Sequence, residues 1–161
     1  MAAKRGIAMT DTDLIKLYSG RILALAADIP HLGRLPAPTG TARKRSPLCG
    51  STVTVDVVVQ NGRIAAFAQD VKACALGQAS AAILGAQVLG ATLAEIEMAR
   101  DQFRAMLKDD GPAPVGRFSD LEMLAPVKDY PARHTSTLLA FEAVTDAVRQ
   151  ASTRTSRAGA A

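Results

Sequence analysis

The chain has 161 residues, 48% of them apolar, and a net charge of +4 at neutral pH; a chain of that size buries a sufficient core without disulfides or metal. Charged or amide residues interrupt every apolar run before about 18 residues, which excludes a helical membrane span, and Met1–Met9 lacks the apolar stretch that a secretory signal requires. Two Tyr, four Phe and no Trp offer few surfaces for bases to stack on, so the mildly basic balance reads as solvated surface and nucleic acid is not an expected partner.

Residues 1–11 are expected to form a flexible N-terminus, 12–150 one domain and 151–161 a disordered tail. Thr10 or Thr12 can cap a first helix, with Asp11 and Asp13 in its first turn, and Leu14, Leu17, Tyr18, Ile22 and Leu25 follow at helical spacing. That helix ends by Pro30, in a connection rich in Pro and Gly. A short strand is expected around Arg43 to Pro47. Thr52 to Val59 is β-branched and alternating, which predicts a strand with Val53, Val55, Val57 and Val59 on one face. Asn61-Gly62 is a strong type I′ hairpin signal because both residues tolerate φ > 0. Arg63 to about Val71 is then the return strand.

Ala75 to Leu89 reads as an Ala-rich helix with Gly77, Ala81 and Gly85 on a close-packing face. Thr92-Leu93-Ala94-Glu95 is a capping box that opens a third helix. Ser119-Asp120-Leu121-Glu122 repeats that pattern on a short helix that Pro126 would end. A last helix is expected from about Thr135 to Gln150. The predicted class is α+β: a small antiparallel sheet of about three strands with helices packed on one side.

The two cysteines carry the chemistry. In a two-residue hairpin closed by Asn61-Gly62, an unbulged ladder would bring Cys49 opposite Cys74, roughly 4.5–5.5 Å apart at Cα. Cys74 also stands where the Ala-rich helix begins, and both the helix dipole and neighbouring Lys72 favour a thiolate there. Neither cysteine belongs to a Cys-x-x-Cys pair, and two sulfurs do not complete the usual shell of zinc or an iron–sulfur cluster. His31, His134, Asp70, Ser51 and Ser136 are the other candidate groups, with His134 the better placed of the histidines. Two reduced cysteines suit a cytoplasmic protein. No hydrolase triad, phosphate-binding Gly loop or His-Glu-x-x-His pattern occurs.

Pro47-Leu48-Cys49-Gly50-Ser51, the hairpin, Lys72-Ala73-Cys74-Ala75-Leu76-Gly77-Gln78-Ala79-Ser80-Ala81 and Pro126-Val127-Lys128 before Arg133 resemble, in that order, the NifU/IscU-type iron–sulfur cluster assembly scaffolds. The resemblance runs from about Leu14 to Arg149. Such scaffolds use three cysteines and usually an aspartate after Cys-Gly. Cys49 and Cys74 match two of the cysteines, Ser51 stands at the aspartate and Ser136 at the third cysteine. The resemblance implies a non-enzymatic scaffold that receives sulfur from a cysteine desulfurase and passes a cluster to acceptor proteins. It implies iron or an iron–sulfur cluster at Cys49 and Cys74; His134, two residues before Ser136, is a further candidate ligand by its position where the last helix begins. A cluster so held is either labile for want of ligands or shared between two subunits of a homodimer. Two other readings compete: a zinc-binding sulfur acceptor using Cys49, Cys74 and His134, and a metal-free interaction module that keeps the scaffold fold.

Overall fold

In the computed structural model, residues 18–160 are described, with side chains as far as Arg154. The first described element is helix α1, Gly20–Ala27. Ser19 caps it by accepting a hydrogen bond from the Ile22 N–H at 3.4 Å. Ile22 is buried and Tyr18 and Leu25 pack beside it, as the helical spacing required. The predicted caps Thr10 and Thr12, with Leu14 and Leu17, lie outside the described residues.

Strands β1 (Gly40–Arg45), β2 (Thr52–Gln60) and β3 (Arg63–Lys72) form an antiparallel sheet in that order. β1 starts earlier than predicted and stops before Pro47, which has no N–H to give a ladder. Val53, Val55 and Val57 are wholly buried on the face that helices cover, while Val59 is half-buried. Asn61 and Gly62 both have positive φ, 54° and 74°, and Gln60 faces Arg63 as a two-residue hairpin demands. The ladder then departs from expectation. Val59 faces Ile64 but Val58 faces Ala66, so Ala65 is an extra residue and every pair beyond it is shifted by one. The ladder ends at Thr52 and Lys72. Cys49 and Cys74 are therefore not cross-strand partners.

Helix α2 spans Ala75–Gln87 and α3 spans Leu93–Lys108. The capping box on α3 is present in full, with Thr92 accepting from the Glu95 N–H and Glu95 accepting from the Thr92 N–H. The second predicted box is absent. Gly116–Asp129 is a 3-10 segment with Val115, not Ser119, before it, and Pro126 lies inside it rather than ending it. A second short turn, Pro131–Arg133, leads into the long helix α4, His134–Ala160. That helix continues past Gln150 because Ala151 is buried in the core and Arg154 reaches back to the Thr39 carbonyl. The fold is α+β. Helix α4 lies across β1 and β2, α2 packs on α1 and α4, and α3 with the 3-10 segment closes the outer side. A Cβ at Gly40 would strike the Ala147 carbonyl, so glycine there lets α4 approach the sheet edge. Among the described residues no helix is long and apolar enough to cross a membrane.

Candidate functional site

The connection between β1 and β2 folds into a tight turn at one end of the sheet. Ser46 N–H donates to the Ser51 carbonyl and Gly50 N–H donates to the Ser46 carbonyl, both at 2.8 Å. Gly50 has φ 74°, a conformation that a side chain would strain. The turn leaves Cys49 exposed at its tip while it buries Ser46 and Ser51. Cys49 Sγ lies 3.0 Å from Ser51 Oγ.

Cys74 occupies the cap position of α2 and is half-buried. Its Sγ lies 3.6 Å from Ser136 Oγ, on the first turn of α4. The small face of α2 makes this meeting possible. A Cβ at Gly77 would come within 2.8 Å of Ala73 Cβ and 3.0 Å of the Ser136 carbonyl. Ser136 is buried and donates to the Arg133 carbonyl at 3.2 Å. Hydrogen bonding by Ser46 first, then by Ser51 and Ser136, brings the Cys49 thiol down to about 7 from an ordinary value of 9.0. More of Cys49 is thus thiolate at neutral pH than of an ordinary cysteine, and thiolate is the nucleophilic and metal-binding form.

Ser136 thus meets the Cys74 sulfur and is also among the hydroxyls that lower the Cys49 thiol, so the bulge that prevents cross-strand pairing leaves both cysteines at one end of the sheet. The other predicted residues go elsewhere. His134 Nε2 lies 3.0 Å from the Val127 carbonyl and 3.1 Å from the Lys128 carbonyl. Two carbonyl acceptors place the proton on that nitrogen, so it is not open to a metal. His31 is exposed with φ 62°, its carbonyl accepts from the Gln69 N–H, and its ring meets Phe67 edge-on. Asp70 and Lys72 project from the sheet face away from the helices. Among the described residues no three of His, Cys, Asp and Glu gather closely enough to hold a metal ion, so the Cys49–Cys74–His134 grouping is not assembled. Two clefts of about 380 and 320 Å³ share Arg21 and Met123 and no cysteine lines either.

One residue of the site escaped sequence reasoning. Ser46 is only 1% exposed and is the largest influence that lowers the Cys49 thiol. Its signal was the Ser-x-x-Cys-x-Ser spacing, which puts a hydroxyl on each side of a cysteine in a turn.

The protein is 47% identical to the N-terminal part of a nitrogen-fixing NifU-like protein from Brucella abortus, whose crystal structure it matches with a TM-score of 0.86 over 88% of this chain and 99% of that one. It is 24% identical over 136 residues to the iron–sulfur cluster assembly scaffold protein IscU of Thermotoga maritima, covering 84% of this chain and 95% of the relative. The fold also matches a candidate scaffold of the SUF system from Fervidobacterium islandicum AW-1, with 20% identity, a TM-score of 0.76 and coverage of 83% and 98%. A family model for the NifU-like N-terminal domain matches residues 17–137, from just before α1 to just past Ser136. Fold and family match agree, and the chain belongs to the NifU-like N-terminal domain family.

Proposed function

We propose that this protein is an iron–sulfur cluster assembly scaffold whose working groups are Cys49 and Cys74. The observation that carries the reading is the pair of cysteines set against hydroxyls at one end of the sheet, Cys49 3.0 Å from Ser51 and Cys74 3.6 Å from Ser136, with the exposed Cys49 thiol brought down to about 7. An exposed thiolate can attack the outer sulfur of a donor persulfide. The new S–S bond forms at Cys49, the donor's S–S bond breaks, and the donor's sulfur leaves as a thiolate. A cysteine desulfurase is the class of enzyme that presents such a persulfide, and cluster-accepting proteins are the class that would take the product.

Iron and the nascent cluster are cargo in this reading. The protein supplies two thiolates beside hydroxyls too weakly acidic to replace a carboxylate, so cargo is held by fewer ligands than the four cysteines of a stable cluster. Exchangeable external thiols complete the shell, which makes release easy. A zinc site of Cys49, Cys74 and His134 has less support, because His134 Nε2 is engaged by the Val127 and Lys128 carbonyls.

Anaerobic incubation with ferrous iron, sulfide and a small thiol tests the proposal. Visible absorption together with iron and sulfide counted per chain should show a bound cluster that a chelator strips rapidly. Cys49→Ala and Cys74→Ala should each abolish it. Colourless, iron-free protein, or retention of iron by both variants, would refute the proposal.

A further inference from the structure

The face of the sheet turned away from the helices is built from cross-strand rows, and its two ends differ. At the far end, the row Thr41–Asp56–Ala68 is covered by the chain around residues 31–35, with Arg34 and Leu35 bonded to Asp56. At the end nearest the cysteines, the rows Arg43–Thr54–Asp70 and Arg45–Thr52–Lys72 place Arg43, Arg45 and Lys72 in solvent. Each segment entering the thiol site brings one cation just ahead of it. Arg45 precedes the Ser46–Ser51 turn, Lys72 precedes Cys74, and Arg133 precedes Ser136. Among the described residues none of Arg43, Arg45, Lys72 and Arg133 has an ion-pair partner. Asp70 is the one exposed carboxylate in these rows. Leu48, beside Cys49, is 78% exposed.

We propose that this end of the sheet docks a carboxylate-rich protein surface, which approaches over Arg43, Arg45, Lys72 and Arg133 and seats against Leu48 to bring its reactive group to Cys49. An apolar centre with a charged rim is the usual anatomy of a protein interface. Charge complementarity selects the occupant. A second copy of this chain would set like charges against each other. Nucleic acid would find no platform for its bases, since Phe67, Phe103, Phe118 and Phe141 are all buried and Tyr18 and Tyr130 are half-buried. What the acidic partner delivers or takes rests on the scaffold reading above, whereas the steering itself does not.

Two peptides test the surface, each carrying a cysteine activated as its 2-thiopyridyl disulfide, one rich in glutamate and the other in glutamine. In a Cys74→Ala background, Cys49 attacks the peptide sulfur and pyridine-2-thione leaves, so the rate is read by absorbance without iron. At low salt the glutamate peptide should react about tenfold faster than the glutamine peptide. The ratio should fall towards one at high salt and in Arg45→Glu/Lys72→Glu. Each ratio compares two peptides on the same protein, so changes in thiolate content cancel. A ratio near one at low salt, or one unchanged in the double variant, would overturn the proposal. Stronger inhibition by a single-stranded oligonucleotide than by free glutamate peptide would also overturn it, in favour of nucleic acid. Failure of cluster reconstitution would leave the ratio standing, and the converse holds equally.

Discussion

Asp56 and Cys49 are two anion-forming groups a few residues apart, held in opposite ways. Asp56 is fully buried on β2 and receives the Arg34 guanidinium at 2.6 and 3.1 Å, the Leu35 N–H at 3.0 Å and the Thr41 hydroxyl at 2.8 Å. Burial, the largest influence, pushes its carboxyl up; the bonds from Arg34, Thr41 and Leu35 together outweigh it and hold the group below the ordinary range. Cys49 stands in solvent with hydroxyls as its side-chain partners. A carboxylate bound by a full charge and two further donors is fixed, and it pins the 31–35 chain to the sheet. A thiolate bound by rotatable hydroxyls is stabilised enough to form yet keeps lone pairs free for attack or ligation. Strong neutralisation serves architecture here, and weak neutralisation serves reactivity.

The largest test of this contrast is stability. Asp56→Ala should cost about 2–3 kcal/mol in urea unfolding, because it strands the Arg34 guanidinium, Leu35 N–H and Thr41 hydroxyl. Cys49→Ala should cost less than about 1 kcal/mol, as expected of an exposed side chain. Equal losses would break the comparison. Acid sharpens it next. A carboxyl held low in the folded state contributes stability that is complete above its ordinary value of 3.8 and disappears as pH falls through the folded value. Asp56→Asn should remove that part of the acid-induced loss, as followed by circular dichroism from neutral pH downward.

Reactivity gives a smaller but cleaner shift. Alkylation of Cys49 by iodoacetamide should rise with pH around a midpoint of about 7. Ser46→Ala removes a donor to the thiolate and should move that midpoint upward, by roughly half a unit to one unit. Ser51→Ala and Ser136→Ala should move it less, in the same direction. The smallest effect concerns salt. Hydroxyl dipoles in direct contact are not screened as distant charges are, so high salt should leave the Cys49 midpoint within roughly 0.2 units. A large salt-induced rise would mean that cations rather than hydroxyls hold the thiolate.

Local signals were the legible part of this fold. The β-branched run at 52–59, Asn61-Gly62 and the Thr92–Glu95 box each encode their structure within a few residues, and each formed. What went unseen depended on distant partners. The bulge at Ala65 leaves no mark, since alanine fits either side of a strand. Pro126 sits within a 3-10 segment that Leu121, Leu124 and Val127 anchor in the core. The two cysteines at one end of the sheet were legible from the hairpin and from the family resemblance, although their opposition was not realised. Ser46 was hidden because its role depends on closure of the turn upon Ser51. The engagement of His134 by two carbonyls depends on how the 3-10 segment docks, which residue spacing does not reveal.

Scaffold chemistry on this fold requires Cys49 and Cys74 to form a single site. Dibromobimane, which joins two nearby thiols and fluoresces strongly only when both have reacted, reads this directly in the native protein. The prediction is one bimane bridge per chain, linking the peptides that contain Cys49 and Cys74 in a digest, with no bridge in Cys49→Ala or Cys74→Ala. Two separate single-thiol adducts on the folded chain, with no bridged product, would contradict it.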